Sequence, residues 1–491
     1  KAVDIPLSIE PDTEQEYVWR PLQSLSLLSE RWGALFSGHE VNPLWWGLYN
    51  WARESDTYRP RLGEVSRGIR DNNDVPVITK DLVNGLFLSK GYMSGSVTRL
   101  ERYQQCPFKF YAQYGLKLEP RRVRSFGAPE IGTFLHANLE RLGNYLLENN
   151  KQWRDLNEEE QQNLCRSVAD EILQENHGGE ETSDAYQKAI EQRVQRTLHV
   201  TVDRLVEWSK RSDFDTKYLE QDFGRQGGWN PIRVPLGEDR YLRLIGQIDR
   251  IDEYTRDGQT YGMVIDYKSG GAHVTAQDVY YGLKLQLMTY LLALESAYGK
   301  AEGKSMSPAA VVYSYVKNPK IPAGTPISYE DAVSLAKESN AWQNSGYFSD
   351  DIELLTHIDN KFLSYGAKQG PYVPIATKKD QTISNRDLRK VKNPGEFDVL
   401  CRYTNHVMAE TGRNIGDGQF PIKPYQLNGF RPCTYCDYHT VCRFDSSRNK
   451  YNYLSGLSED DALERMKEVL NDGNNSNDRN NSNEGGENYG C

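Results

Sequence analysis

"GQIDRIDEYTRDGQTYGMVIDYKSG", residues 246–270, decides the fold. Asp257-Gly258 at its centre is a two-residue hairpin signal, because both turn positions need positive φ and these residue types tolerate it. With those two as the loop, opposed residues carry numbers that sum to 515, so Asp249 faces Asp266. Directly opposed Cβ atoms lie about 5 Å apart. Two carboxylates at that separation repel unless a cation or a proton sits between them. Lys268 stands two residues past Asp266 and shares its face of the strand. The three suit a divalent ion with an ammonium beside it, which lowers the pKa of a bound water and offsets charge developing on phosphorus. The same residues also suit a surface ion cluster in which Asp249, Arg250, Asp252 and Lys268 pair with one another.

After the hairpin, "AQDVYYGLKLQLMTYLLALESAYG" (276–299) reads as one helix and "AAVVYSYV" (309–316) as a buried strand. Gln286 and Tyr290 stand four apart and share a helix face, where an amide and a phenol suit holding a strand or a water; as a pair they also suit ordinary helix surface. Before the hairpin, "KYLEQDFG" (217–224), "PIRVPL" (231–236) and "RYLRLIGQIDRID" (240–252) read as strands, preceded by long polar helices through about Lys210. Glu220, opening the first of these strands, is the weakest acidic candidate. A leucine-spaced helix over "IGTFLHANLERLGNYLLENN" (131–150) carries His136 four residues after Gly132, where the missing side chain permits close backbone approach. A satisfied core histidine is the plain alternative there. In "SVTRLERYQQCPFKFY" (96–111), Thr98 and Glu101 fit a capping box for a helix carrying Leu100 and Tyr103 and ending near Cys106-Pro107. This order of elements implies an α/β core inside a helical shell.

At 491 residues the chain has room for two or more domains. It begins at Lys1 and is expected to be part of something longer. No run of about 18 apolar residues and no signal-peptide pattern occurs, so no membrane association and a cytoplasmic location are expected. The net charge of −10 argues against simple coating of nucleic acid. Tyr451–Cys491 holds nine acidic and three basic residues, so the tail supplies −6 of that charge and a local basic groove stays open to the body. Within the tail an amphipathic helix is expected over Ser458–Leu470, followed by a disordered Asn/Ser/Gly/Glu-rich stretch. No G-x-x-x-x-G-K-[ST] phosphate loop occurs, so ATP hydrolysis by that route is not expected.

Seven cysteines are too few for a disulfide scaffold in a chain of this size. "RPCTYCDYHTVCRF" places Cys433, Cys436 and Cys442 within ten residues, a spacing suited to one metal centre. His439 and Cys106 are the candidates for a fourth ligand, and Cys106 is preferred because a Cys-Pro-Phe turn at a helix end leaves a fixed, partly exposed thiolate. Zinc is the default from the local residues alone, with a four-cysteine iron–sulfur cluster as the other choice. Cys165, Cys401 and Cys491 read as packing or incidental thiols. In "KLEPRRVR" (117–124), Lys117, Arg121, Arg122 and Arg124 suit backbone phosphates, or else a solvated loop.

"GTFLH", "GQIDRID", "VIDYKSG" and "LQLMTY", bracketed by one early cysteine and C-x2-C-x5-C, resemble the RecB-type branch of the PD-(D/E)xK nucleases, and in particular the AddB family with its iron–sulfur staple. The resemblance covers about residues 85–450. It implies a PD-(D/E)xK, restriction-endonuclease-like core sheet within the helical shell. It further implies a 4Fe-4S cluster on Cys106, Cys433, Cys436 and Cys442, and a metal held by His136, Asp249 and Asp266; the ion expected is Mg²⁺, with the Tyr267 carbonyl as an optional further oxygen. Lys268 would be the catalytic lysine, with Gln286 and Tyr290 in support. The implied activity is exonucleolytic hydrolysis of single-stranded DNA delivered by an AddA-type partner during recombinational repair of double-strand breaks. Ile248 replaces the proline of the superfamily's name, a departure that RecB-type members tolerate. The expected organisation is the end of a helicase-like region over 1–90, the nuclease domain over 91–450, and an acidic helix with a disordered tail over 451–491. The rivals are a stand-alone RecB-like exonuclease and a non-catalytic iron–sulfur scaffold that binds DNA or a partner.

Overall fold

A computed structural model describes residues 18–481 except 19, 37, 71–72, 90, 120–127, 178–184, 238–239, 300–305, 317–325, 329–330, 333–334, 336–342 and 447. The chain forms two compact units. One comprises residues 1–76 with 421–423 and 438–451; the other comprises 77–420 with 424–437 and 452–491. The smaller unit holds helices α1 (Pro21–Phe36), α2 (Leu44–Glu54) and α3 (Arg59–Arg70). Trp45, Leu48 and Ala52 of α2 recur at helical spacing and bury against Leu25, Leu28, Trp32 and Leu62, which leaves Trp46 and Trp51 exposed.

The larger unit is built on a six-stranded sheet in the order β10-β9-β8-β7-β6-β3. Its strands are β3 (Asp215–Phe223), β6 (Gly246–Arg256), β7 (Gln259–Lys268), β8 (Met306–Tyr315), β9 (Ser345–Ser349) and β10 (Val391–Lys392). A second sheet, β1-β2-β5-β4, joins β1 (Leu88–Ser89), β2 (Tyr92–Gly95), β4 (Ile232–Gly237) and β5 (Arg240–Leu244). The β6–β7 hairpin closes on Asp257 (φ 52°) and Gly258 (φ 82°), and its pairs Arg256↔Gln259 to Arg250↔Ile265 keep the register the sequence predicts.

Helices cover both faces of the six-stranded sheet. On one face Ile251, Val264, Val311 and Tyr313 pack against α5 (Val97–Gln105), α11 (Gln286–Tyr298), α13 (Pro394–Gly416) and α14 (Glu459–Asn481). On the other, Met263, Ile265, Ala310 and Val312 meet α7 (Ala128–Glu148), α8 (Glu158–His177), α9 (Ala185–Ser209) and α12 (Ile352–Ile358). Shorter helices among the described residues of this unit include α4 (Lys80–Phe87), α6 (Pro107–Phe110) and α10 (Ala276–Tyr280). β7 and β8 are parallel, and α10 with α11 makes the crossover between them. Because β7 is buried from both sides, it reads as the apolar run GMVI rather than as an alternation.

Three expected elements change. The strand read over 240–252 is two strands in two sheets, β5 and β6. The chain passes between the sheets at Gly246, where a Cβ would strike the Phe223 ring, while Ile245 donates its N–H to Gly95 O at 3.0 Å. The helix read over 276–299 breaks at Gly282 (φ 67°), where the chain turns from α10 into α11. The capping box of Thr98 and Glu101 does not form. Ser96 is the N-cap of α5, and the Glu101 carboxylate bonds to a different helix.

The acidic end of the tail belongs to the core of the larger unit. Ala462, Leu463 and Met466 of α14 are buried in it, and the helix backbone runs past Leu470 to Asn481. Residues 482–491 lie outside the described residues. Glu459 anchors this helix: its carboxylate accepts from Tyr347 OH at 2.6 Å and from Ala276 N at 3.2 Å, and pairs with Lys392 Nζ at 3.2 Å. Lys392 is only 2% exposed, so removing its counter-ion leaves a charge without compensation in the interior. Glu459→Ala is expected to lower stability by about 3 kcal/mol in urea unfolding, and a change below about 1 kcal/mol would show that the lysine finds another partner.

Candidate active site

The site lies where the β6–β7 ladder ends. The last paired residues are Arg250 and Ile265, one step short of the two aspartates. Beyond them the Asp249 carboxylate takes over from the backbone, and its Oδ2 accepts the Tyr267 N–H at 2.7 Å. The strands therefore part at a fork lined by acids. On the far side of β6, the pairs Leu219↔Arg250 and Gln221↔Ile248 put Glu220 opposite Asp249. Three adjacent strands thus present Glu220, Asp249 and Asp266 in one row.

Glu220 adopts φ 43°, a left-handed conformation rare for a residue with a long side chain and one that concentrates at functional sites. α7 supplies the fourth group. Gly132 lets that helix approach the end of β7, where a Cβ would lie 3.3 Å from Ser269 Oγ, and Gly143 lets it press onto Leu219 of β3. His136 then stands over the fork. Its Nε2 lies 3.0 Å from the Tyr267 carbonyl oxygen, so that nitrogen donates and Nδ1 keeps its lone pair, 3.4 Å from Asp249 Oδ2. The Tyr267 carbonyl, weighed above as an extra metal oxygen, accordingly accepts from His136.

His136, Glu220 and Asp249 each offer a ligand atom, all within 4.8 Å of one another. Glu220, the weakest candidate in the sequence, is in this group. The β3–β6 register places it there: its number and that of Asp249 share the sum of the flanking pairs. Asp266 stands beside the trio, 1% exposed, with Oδ1 accepting from Gln286 Nε2 at 2.7 Å. Its Oδ2 is buried without an aligned hydrogen bond and lies against the Lys268 ammonium. Gln286 also donates to Tyr290 OH at 2.8 Å, so the α11 face reaches Asp266 through the Gln286 amide, with Tyr290 bonded behind it. Lys268, with 31% of its side chain exposed, reaches solvent over the Tyr313 ring.

The electrostatics match a cation site. Burial raises the carboxyl pKa of Asp266, which the charge of Asp249 raises further against the pull of Lys268. Burial likewise raises Asp249. It pushes Glu220 up to about 8, with Asp249 adding to the effect. Burial lowers the pKa of His136 and favours the neutral imidazole, the form that binds metals. One imidazole among hard carboxylate oxygens suits a divalent ion such as Mg²⁺ or Mn²⁺. The surface ion cluster does not form: Arg250 and Asp252 pair at 2.6 Å deep in the opposite core, with the guanidinium over Trp153 and Trp208.

Cys106 is buried between α5 and α6 rather than partly exposed, because the short helix that follows it turns Phe110 into the core and bonds the Phe110 N–H back to Cys106 O at 3.2 Å. Cys433 and Cys436 flank a 3-10 turn over Pro432–Tyr435, and Cys106 and Cys436 both face the Lys109 ammonium. Cys442 and His439 belong to the segment 438–451 of the smaller unit. Cys165 and Cys401 are buried among apolar neighbours. Lys117 is exposed with φ 54°, while Arg121, Arg122 and Arg124 lie outside the described residues, as does Cys491. No helix among the described residues is long and apolar enough to cross a membrane.

In the metal-free fold these raised carboxyl pKa values favour bound protons, a contribution present below the unfolded values near 4 and lost as pH rises through the folded ones. A divalent ion replaces those protons. The melting temperature is therefore expected to rise more on adding Mn²⁺ at about pH 8.5 than at about pH 6, with EDTA reversing the shift; an equal rise at both would place the ion elsewhere.

The PD-(D/E)XK nuclease superfamily description matches residues 94–443, and that of the ATP-dependent helicase/deoxyribonuclease AddB fifth domain matches residues 10–68. Curated relatives are named as the B subunit of an ATP-dependent helicase/deoxyribonuclease. The one from Clostridioides difficile (strain 630) is 30% identical over 440 residues, 89% of this chain and 37% of the relative. The one from Clostridium perfringens (strain SM101 / Type A) is 32% identical over 443 residues, 89% and 37%. The one from Thermoanaerobacter sp. (strain X514) is 30% identical over 475 residues, 95% and 40%. The chain spans about two-fifths of the length of these relatives. With its acids at the end of a β-hairpin, a lysine two residues on and the superfamily description matching from 94 to 443, the chain belongs to the PD-(D/E)XK nuclease superfamily.

Proposed function

We propose that this chain is the nuclease-bearing part of an AddB-type protein, and that it hydrolyses phosphodiesters of single-stranded DNA exonucleolytically during recombinational repair of double-strand breaks in the cytoplasm. An AddA-type helicase partner would deliver the strand. One observation carries the reading: His136, Glu220 and Asp249 converge within 4.8 Å beside an Asp266–Lys268 ion pair at the open end of a sheet. The names of the relatives, which couple a helicase to a deoxyribonuclease, support a DNA substrate and a helicase partner.

In this proposal His136, Asp249 and Asp266, joined by Glu220, hold Mg²⁺. The bound ion would supply Lewis acidity and a water of lowered pKa. Lys268 does the work of an exposed cation: its ammonium, held at Asp266, orients the attacking water and balances negative charge gathering on the phosphate oxygens. Gln286 keeps Asp266 from rotating, because its amide is tied to Tyr290 at the same time. Lys117, and with it Arg121, Arg122 and Arg124, would follow backbone phosphates.

We further propose that Cys106, Cys433, Cys436 and Cys442 ligate a 4Fe-4S cluster. The C-x2-C-x5-C spacing supports this, as do the positions of Cys106 and Cys436 around one ammonium.

Asp266→Ala is expected to lower Mg²⁺-dependent cleavage of labelled single strands by about 1000-fold, since it removes an anchor of both the ion and Lys268. Equal activity in the variant and the unaltered chain would remove the catalytic assignment. Protein purified without oxygen is expected to be brown and to carry iron and sulfide, with the colour lost in Cys436→Ala. A colourless, zinc-loaded protein would replace the cluster by a zinc site built from the same cysteines, with or without His439.

A further inference from the structure

α5 reaches the fork through one carboxylate. Glu101 stands in the middle of this helix, and its Oε1 accepts the backbone N–H of Leu285 at 2.7 Å and of Gln286 at 3.2 Å. Those two amides open α11, whose N-cap is Leu285, a residue whose side chain has no acceptor. A helix start normally draws its acceptor from a Ser, Thr, Asp or Asn at the N-cap. Here the acceptor comes from 184 residues away, and it is a carboxyl oxygen at the positive end of the helix dipole.

The position of that helix start matters because Gln286 is its first residue. The same residue that gives Glu101 a backbone N–H gives Asp266 its side-chain amide at 2.7 Å and Tyr290 a second bond at 2.8 Å. α5 is well fixed to serve as the support. Val97, Leu100 and Tyr103 bury its apolar face, Tyr103 OH donates to Gln419 O at 2.7 Å, and Gln104 packs on Gly282, the break between α10 and α11. Its end is Cys106, five residues, or about 7.5 Å of helix, from Glu101.

We propose that Glu101 is a positioning residue of the active site: by capping α11 from a neighbouring helix it sets where Gln286 meets Asp266. This rests on the nuclease reading above. Its environment agrees with the placement. Asp266 and Lys268 from β7, Tyr290 from α11 and Tyr313 from β8 all face the Glu101 carboxyl, and its pKa is raised to about 7, chiefly by burial. Thr98 and Glu101 look like a local capping box, but the carboxylate caps in space and not in sequence.

The test uses the full-length chain purified with its helicase partner, comparing Glu101→Ala and Glu101→Gln with the unaltered protein. Cleavage kinetics on single-stranded DNA are read beside amide hydrogen exchange of the segment holding Leu285 and Gln286. Glu101→Ala is expected to lower kcat by about 10- to 100-fold with KM within about twofold, and to speed exchange at those amides. Glu101→Gln keeps an oxygen acceptor and is expected to restore slow exchange and most of kcat. An unchanged kcat in Glu101→Ala, a loss of kcat without faster exchange, or no rescue by Glu101→Gln would each overturn the proposal. If Glu101→Ala does not fold, Glu101→Gln decides: slow exchange with kcat within about fivefold of the unaltered protein supports the role, and fast exchange overturns it. If the unaltered protein cuts no DNA, the nuclease reading fails, and exchange in the two variants still decides whether Glu101 caps α11.

Discussion

Two carboxylates buried side by side at the end of a hairpin set the terms for everything around them. Asp249 and Asp266 repel each other, and burial deepens the penalty of ionising both. The fold answers each acid separately. Asp249 receives the Tyr267 N–H, with His136 close by; Asp266 receives the Gln286 amide and the Lys268 ammonium. What remains between them is negative potential enclosed by protein, which is the property a divalent cation seeks.

This arrangement explains why the sheet carries a helical layer on each side. The imidazole comes from α7 in one layer and the amide from α11 in the other, and neither could arrive from the strand's own neighbours. Each helix is brought in by a small residue or a borrowed cap. Glycines at 132 and 143 allow α7 to lie close on β7 and β3, and Glu101 steadies the start of α11. The left-handed turn at Glu220 adds a third acid to the row, at a conformational cost that the pairing on either side of it absorbs.

The same chain keeps other charges inside for purely structural ends, and the contrast is instructive. Arg250–Asp252 and Lys392–Glu459 are closed pairs: each charge meets its opposite within hydrogen-bond reach, and aromatic rings line the cations. At the fork the acids outnumber the lone lysine. An unbalanced cluster beside a partly exposed cation is a place for a ligand, whereas a balanced one is a brace.

The order of elements, the Asp-Gly turn and the register that opposes Asp249 to Asp266 were legible in the sequence, because a two-residue turn fixes pairing locally and strand periodicity fixes the face. So was the likeness carried by five spaced motifs. The roles of Glu220 and Glu101 were not, because one depends on a strand brought alongside from 29 positions away and the other on a helix start 184 positions away. The divided strand at Gly246 and the broken helix at Gly282 escaped for a related reason: each glycine reads as a minor weakness until the neighbouring Phe223 ring or Gln104 side chain shows what it makes room for. Sequence alone determined which residues could share a face. Only the tertiary structure decided which faces meet, since long-range contacts are selected by the packing of whole layers and leave no local period to read.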